Sequence, residues 1–133
     1  MPTTIIHSWA APRTLSTATL YAFAQRSDTI AYDEPLYAHY LNMNSLETRP
    51  YREELLKEQD TVGDEFLERI NGLADMNSSS SKNSVLYLKH ISKFRPGLSS
   101  PLLIRPGSRH MLLVRDPYSV ITSWDASASV HKN

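Results

Sequence analysis

The chain of 133 residues is long enough for one domain with one core and too short for two domains of ordinary size. Its 14 basic and 14 acidic residues cancel, and the basic ones form no run, so neither nucleic acid nor an anionic membrane surface is expected as a bulk partner. The lack of cysteine excludes disulfides and thiolate chemistry, the five histidines have no metal-ligand spacing, and no segment reads as a membrane span or secretory signal, so a soluble cytoplasmic protein is expected.

The first element is a short β-prone run near residues 4–8, which breaks at Ala11-Pro12 and resumes as a helix with apolar positions Leu15, Ala18, Leu20, Ala22 and Phe23. A strand, tight loop and helix in this order gather unpaired N–H groups at a helix N-terminus, where the macrodipole favours a phosphate or sulfate. Arg13 adds a fixed, forked cation, and Thr14, Ser16 and Thr17 add hydroxyl donors. The glycines and Lys-Ser/Thr pair of a Walker A loop are absent, which argues against a nucleoside triphosphatase.

Arg26-Ser27-Asp28 reads as a turn and Thr29-Ile30-Ala31-Tyr32 as a second strand ending at Asp33-Glu34-Pro35. Those carboxylates either face a ligand at the carboxyl edge of a parallel sheet or merely begin a loop. Leu36 to Leu41 suits a short helix, with Tyr37, His39 and Tyr40 lining a pocket or packing routinely. Arg49 to Glu58 opens with Pro50 at a plausible first helical position, and Asp60 to Ala74 repeats apolar residues at helical spacing with Asp60 as a candidate N-cap. A polar low-complexity loop over 77–84 follows.

Val85-Leu86-Tyr87-Leu88 is apolar enough for a strand buried on both faces, and it ends at Lys89-His90. The proline- and glycine-rich stretch from Phe94 to Arg109 allows one helical turn at Pro101 to Ile104. A last strand near 110–114 leads through Arg115-Asp116-Pro117 into a helix that reaches Trp124. Strands alternating with helical crossovers predict an α/β fold, a parallel sheet of four strands with helices on both faces.

Two of these segments resemble the phosphate-binding motifs of P-loop sulfotransferases. Pro12-Arg13-Thr14-Leu15-Ser16-Thr17 is similar to the family's phosphosulfate loop, and Arg115 with Ser123 eight residues later is similar to its 3′-phosphate motif. The resemblance is greatest to the sulfotransferase-like domain of plant branched-chain-amino-acid aminotransferase-like proteins. It is carried by His7 to Thr17, Asp33 to Tyr37, Arg49 to Leu56 and Lys89 to Ile91, and spans residues 4 to about 125. Nothing resembles an aminotransferase proper, and no lysine sits in a pyridoxal-phosphate context.

The resemblance implies a P-loop fold with strand order 2-3-1-4 in a single domain over 1–133. Because the family continues with a further strand, a helical region and a basic segment, it also implies an N-terminal portion that is C-terminally incomplete. It implies sulfuryl transfer from 3′-phosphoadenosine-5′-phosphosulfate (PAPS), without a metal, to a hydroxyl or amine of a small acceptor. Arg13, Thr14, Ser16 and Thr17 would hold the phosphosulfate, while Arg115 and Ser123 would hold the 3′-phosphate.

For the base, other branches of the family use a glutamate where Glu34 stands, and cytosolic members carry Lys-x-His near Lys89 and His90. Here the two are adjacent, so His90 would point away from a site that Lys89 faces. Glu34 is therefore the expected base, Lys89 its charged neighbour and His90 the alternative. The competing expectation is a catalytically silent nucleotide-binding or interaction module on the same scaffold.

Overall fold

Four strands pair in parallel in the order β2-β3-β1-β4, with β1 spanning Thr4–Ala10, β2 Thr29–Asp33, β3 Val85–Ile91 and β4 Ser108–Leu113. This is a computed structural model that describes residues 2–77 and 84–130, with side chains described through Asp125. Apart from Asn77 and Ser84, the expected low-complexity loop lies outside the described residues. The helices are α1 (Ser16–Ala24), α2 (Tyr37–Met43), α3 (Arg52–Glu58), α4 (Gly63–Asn77), the one-turn α5 (Ser100–Leu103) and α6 (Pro117–Val130), with a 3-10 turn at Ser92–Phe94.

Strand alternation sorts the sheet's side chains onto two faces. Ile5, Leu86 and Leu88 point to one face and join Phe66, Leu67 and Ile70 of α4 in the main core. On the other face Tyr87 stacks on Phe23 of α1 at 4.1 Å, so helices cover both faces. Complete burial of Leu86, Tyr87 and Leu88 explains the unbroken apolar run of β3, because this strand has a neighbour on either side and a helix above and below. Strand β4 forms an edge, and its Leu112 is largely exposed.

Two helix starts differ from expectation, each for a tertiary reason. Helix α4 begins at Gly63, not after Asp60, because the Gly63 N–H donates to His39 Nδ1 at 3.1 Å and a Cβ there would lie 2.3 Å from Leu98. Asp60 instead pairs with Arg69 across the first turns. Helix α3 begins at Arg52, since Tyr51 is left-handed (φ 60°) and breaks any turn started at Pro50. The Arg52 guanidinium then donates to the Leu41 carbonyl at 2.7 Å, at the end of α2.

The α4 face also holds an imidazole stack. His7 lies 5.3 Å from His90 and 4.9 Å from His110, ring centre to ring centre, and Trp9 covers His90 at 4.4 Å. The Trp9 indole N–H donates to His110 Nδ1 at 3.1 Å, which leaves the His110 Nε2 proton for the Leu103 carbonyl at 3.1 Å. His7 Nδ1 and His90 Nε2 share one hydrogen bond of 3.1 Å.

Burial, and then the neighbouring His110, lowers the His7 pKa from 6.5 to about 4. Burial, and then His7 and His110, pushes His90 well below its usual value. The unfolded chain therefore takes up protons that the folded chain refuses. Stability is full above the unfolded value near 6.5 and falls as pH drops toward 4, by up to ~1.4 kcal/mol per pH unit for each histidine. Urea unfolding between about pH 7.5 and pH 5 should show this loss, and His7→Phe should flatten it by one proton's worth; a flat profile in the parent chain would contradict the assignment.

Candidate functional site

The loop between β1 and α1 is built from two left-handed residues that are not glycine, Arg13 (φ 66°) and Leu15 (φ 61°). Left-handed positions alternating with ordinary ones turn successive N–H groups toward one side and form a concavity for an anion. Leu15 stands at the N-cap of α1 without a capping side chain, so no side-chain oxygen takes up the first N–H groups of the helix. The Thr14 hydroxyl donates to the Ala11 carbonyl at 2.7 Å and closes the loop from within.

Residues from far along the chain complete this loop. The Arg115 guanidinium donates to the Arg13 carbonyl at 2.9 Å, and Arg13 Nε donates to Ser123 Oγ at 3.0 Å. Asp116 caps α6 by accepting from the Ser119 N–H at 2.8 Å, with Pro117 at the first helical position. The Ser119 hydroxyl, followed by that N–H and then by Arg115, keeps the Asp116 carboxyl below its ordinary pKa. Arg13, Thr14, Leu15, Ser16 and Thr17 line a cavity of about 330 Å³ together with Arg115 and Ser123. Among the described residues neither Arg13 nor Arg115 meets a carboxylate as an ion pair.

A second cavity, of about 370 Å³, shares Arg13, Ser16 and Thr17 with the first. Pro12 and Lys89 line it near the loop, Glu34 at the end of β2, and Tyr37, Phe94 and Trp124 further out. Asp33 pairs directly with Lys89 across the β2–β3 ladder. Glu34, one residue on, would point the other way in an extended strand, but its φ of 47° turns the chain, so both carboxylates meet the ammonium. Lys89 Nζ lies 2.7 Å from Asp33 Oδ1 and 3.0 Å from Glu34 Oε1. Burial alone would lower the Lys89 pKa, but these two bonds outweigh it and hold the pKa above its usual value.

His90 points to the opposite sheet face, fully buried in the imidazole stack, and lines neither cavity. Among the described residues no group of histidines and carboxylates could hold a metal ion. A third cavity, of about 240 Å³ beside Asp33, Asp60 and Arg69, lies outside the loop and shares none of its residues.

The profile of the sulfotransferase domain family matches residues 4–130. The chain belongs to that family. It is 41% identical over 122 residues to branched-chain-amino-acid aminotransferase-like protein 1 of Arabidopsis thaliana, and 38% identical over 122 residues to protein 2 of that name. Each match covers 91% of the chain but only 20% of the relative, so the chain spans about a fifth of the length of these proteins. No solved structure matches significantly. No helix among the described residues is long and apolar enough to cross a membrane.

The sulfotransferase domain thus brings Pro12 to Thr17, Glu34 and Lys89, Arg115 and Ser123 to one depression at the carboxyl edge of its sheet. Sequence reading missed Arg49 and Lys93, which also line the second cavity. Lys93 stands four residues after Lys89, beyond the strand end, a weak signal that was there to find, whereas Arg49 carries no local mark of its role. Lys89→Met should cost about 1 kcal/mol in urea unfolding, because Asp33 and Glu34 are exposed enough to rehydrate once the ammonium is gone; a loss several times larger would show that the pair is shielded from water.

Proposed function

We propose that this sulfotransferase domain binds PAPS in the first cavity and transfers its sulfuryl group to a hydroxyl or amine of a small acceptor in the second. The observation that carries this reading is the sharing of Arg13, Ser16 and Thr17 by two cavities of unlike chemistry. One side has two guanidiniums that form no ion pair with a carboxylate among the described residues, suited to the phosphates of a nucleotide. The other has a carboxylate and an ammonium beside aromatic walls, suited to an acceptor and its proton.

In the transfer, the acceptor oxygen or nitrogen forms a bond to sulfur while the bond between sulfur and the bridging phosphate oxygen breaks. Charge grows on that leaving oxygen, and the Arg13 guanidinium, the hydroxyls of Ser16 and Thr17 and the loop N–H groups are there to stabilise it. The acceptor proton passes to Glu34, and Lys89 orients the carboxylate. Burial of His90 on the opposite face supports Glu34 as the base.

Incubation with labelled PAPS and a mixed acceptor library should yield labelled product, with Glu34→Gln abolishing turnover and His90→Asn sparing it; the reverse pattern would transfer the role to His90. Nucleotide binding without product from any acceptor would favour a catalytically silent nucleotide-binding module. In calorimetry, Arg115→Ala should weaken binding of 3′-phosphoadenosine-5′-phosphate by about 1.5–3 kcal/mol. Equal affinity of the parent chain for nucleotides with and without the 3′-phosphate would reject the nucleotide assignment.

A further inference from the structure

The outer wall of the second cavity carries positive charge that the transfer reaction does not use. Near the loop, Arg13 serves the donor, and the single ammonium of Lys89 meets two carboxylates, Asp33 and Glu34, which leaves that end of the cavity negative. Further out, Arg49 and Lys93 share a single carboxylate, that of Glu47, at 2.6 Å and 3.8 Å. Glu47 also accepts from the Tyr40 hydroxyl, and that bond, followed by the one from Arg49, holds its carboxyl below the ordinary range. Two cations therefore face one anion, which leaves about one positive charge in surplus at a wall of the cavity.

The same wall is aromatic. Tyr37 and Phe94 lie 5.1 Å apart with their planes 9° from parallel, and both line the cavity. The Lys93 ammonium sits 4.6 Å from the Tyr40 ring centre and 5.8 Å from that of Phe94, so its charge is held at the edge of the stack. A planar ring entering a cavity of about 370 Å³ can extend this stack and bring a substituent against Arg49 and Lys93.

We propose that the acceptor is a hydroxylated aromatic compound bearing an anionic substituent, with its ring against Tyr37 and Phe94 and its carboxylate, or a similar small anion, on Arg49 and Lys93. This rests on the reading of the second cavity as the acceptor side. It narrows that reading, because a cationic substituent against Arg49 and Lys93 meets their surplus charge as repulsion. The hydroxyl lies on the side of the ring facing Glu34, and the anion lies on the other.

The test is calorimetry on the chain saturated with 3′-phosphoadenosine-5′-phosphate, using two ligands nearly alike in shape but unlike in charge, 3-(4-hydroxyphenyl)propionate and its neutral amide, 3-(4-hydroxyphenyl)propionamide. The carboxylate should bind about five- to tenfold more tightly than the neutral amide. The double change Arg49→Gln with Lys93→Gln should erase that preference and leave the neutral amide within about twofold of its parent affinity. Glu47→Gln should move the preference the other way and strengthen carboxylate binding, which loss of a merely structural contact would not do. Equal binding of the two ligands by the parent chain, or weaker carboxylate binding by Glu47→Gln, would overturn the proposal. Failure of the chain to bind the nucleotide would instead overturn the reading on which it rests.

Discussion

Parallel pairing on both sides of β1 is the constraint from which the site follows. When a strand runs parallel to each neighbour, every exit loop emerges at the same edge, and no hairpin can carry the chain back along the way it came. The loop after β1, the carboxylates after β2, the lysine near the end of β3 and the arginine after β4 are distant in sequence and converge only because of this shared polarity. The intervening helices serve as return paths, and the apolar faces that bind them to the sheet form the core.

At that edge the backbone departs from its comfortable conformations. Arg13, Leu15 and Glu34 occupy the left-handed region without being glycine, and each such residue costs on the order of 1 kcal/mol. The strain is held in place by bonds on either side: the Thr14 hydroxyl closes the loop, Arg115 ties down the Arg13 carbonyl, and Lys89 grips Glu34. It is concentrated where the chain must present N–H groups or a carboxylate to a small molecule, in keeping with the family to which the chain belongs.

Much of this was legible in the sequence. The apolar run of β3 and the alternating strand and helix patterns sufficed for a parallel α/β sheet, and the order 2-3-1-4 came with the family resemblance. What escaped was set by tertiary contact. Asp60 looks like an N-cap in any local window, yet the start of α4 is decided by the fit of Gly63 against His39 and Leu98. Arg49 meets Glu47 two residues away, but Lys93 lies beyond the low-complexity segment, and only the packing of α2 against the 3-10 turn brings it to the same carboxylate. The imidazole stack was equally hidden, because His7, His90 and His110 come from three strands and have no spacing in common.

The bond from Arg13 to Ser123 joins groups 110 positions apart. Contacts closed over so long a stretch of chain come late, since the entropy of closing the intervening loop must be met before they contribute anything. During synthesis the first strand and its loop emerge early, but their mature geometry awaits the residues of α6, which emerge last of the described elements. Until then the chain is a sheet in assembly with an unfinished pocket, and binding competence arrives as a late event of folding instead of growing in step with it.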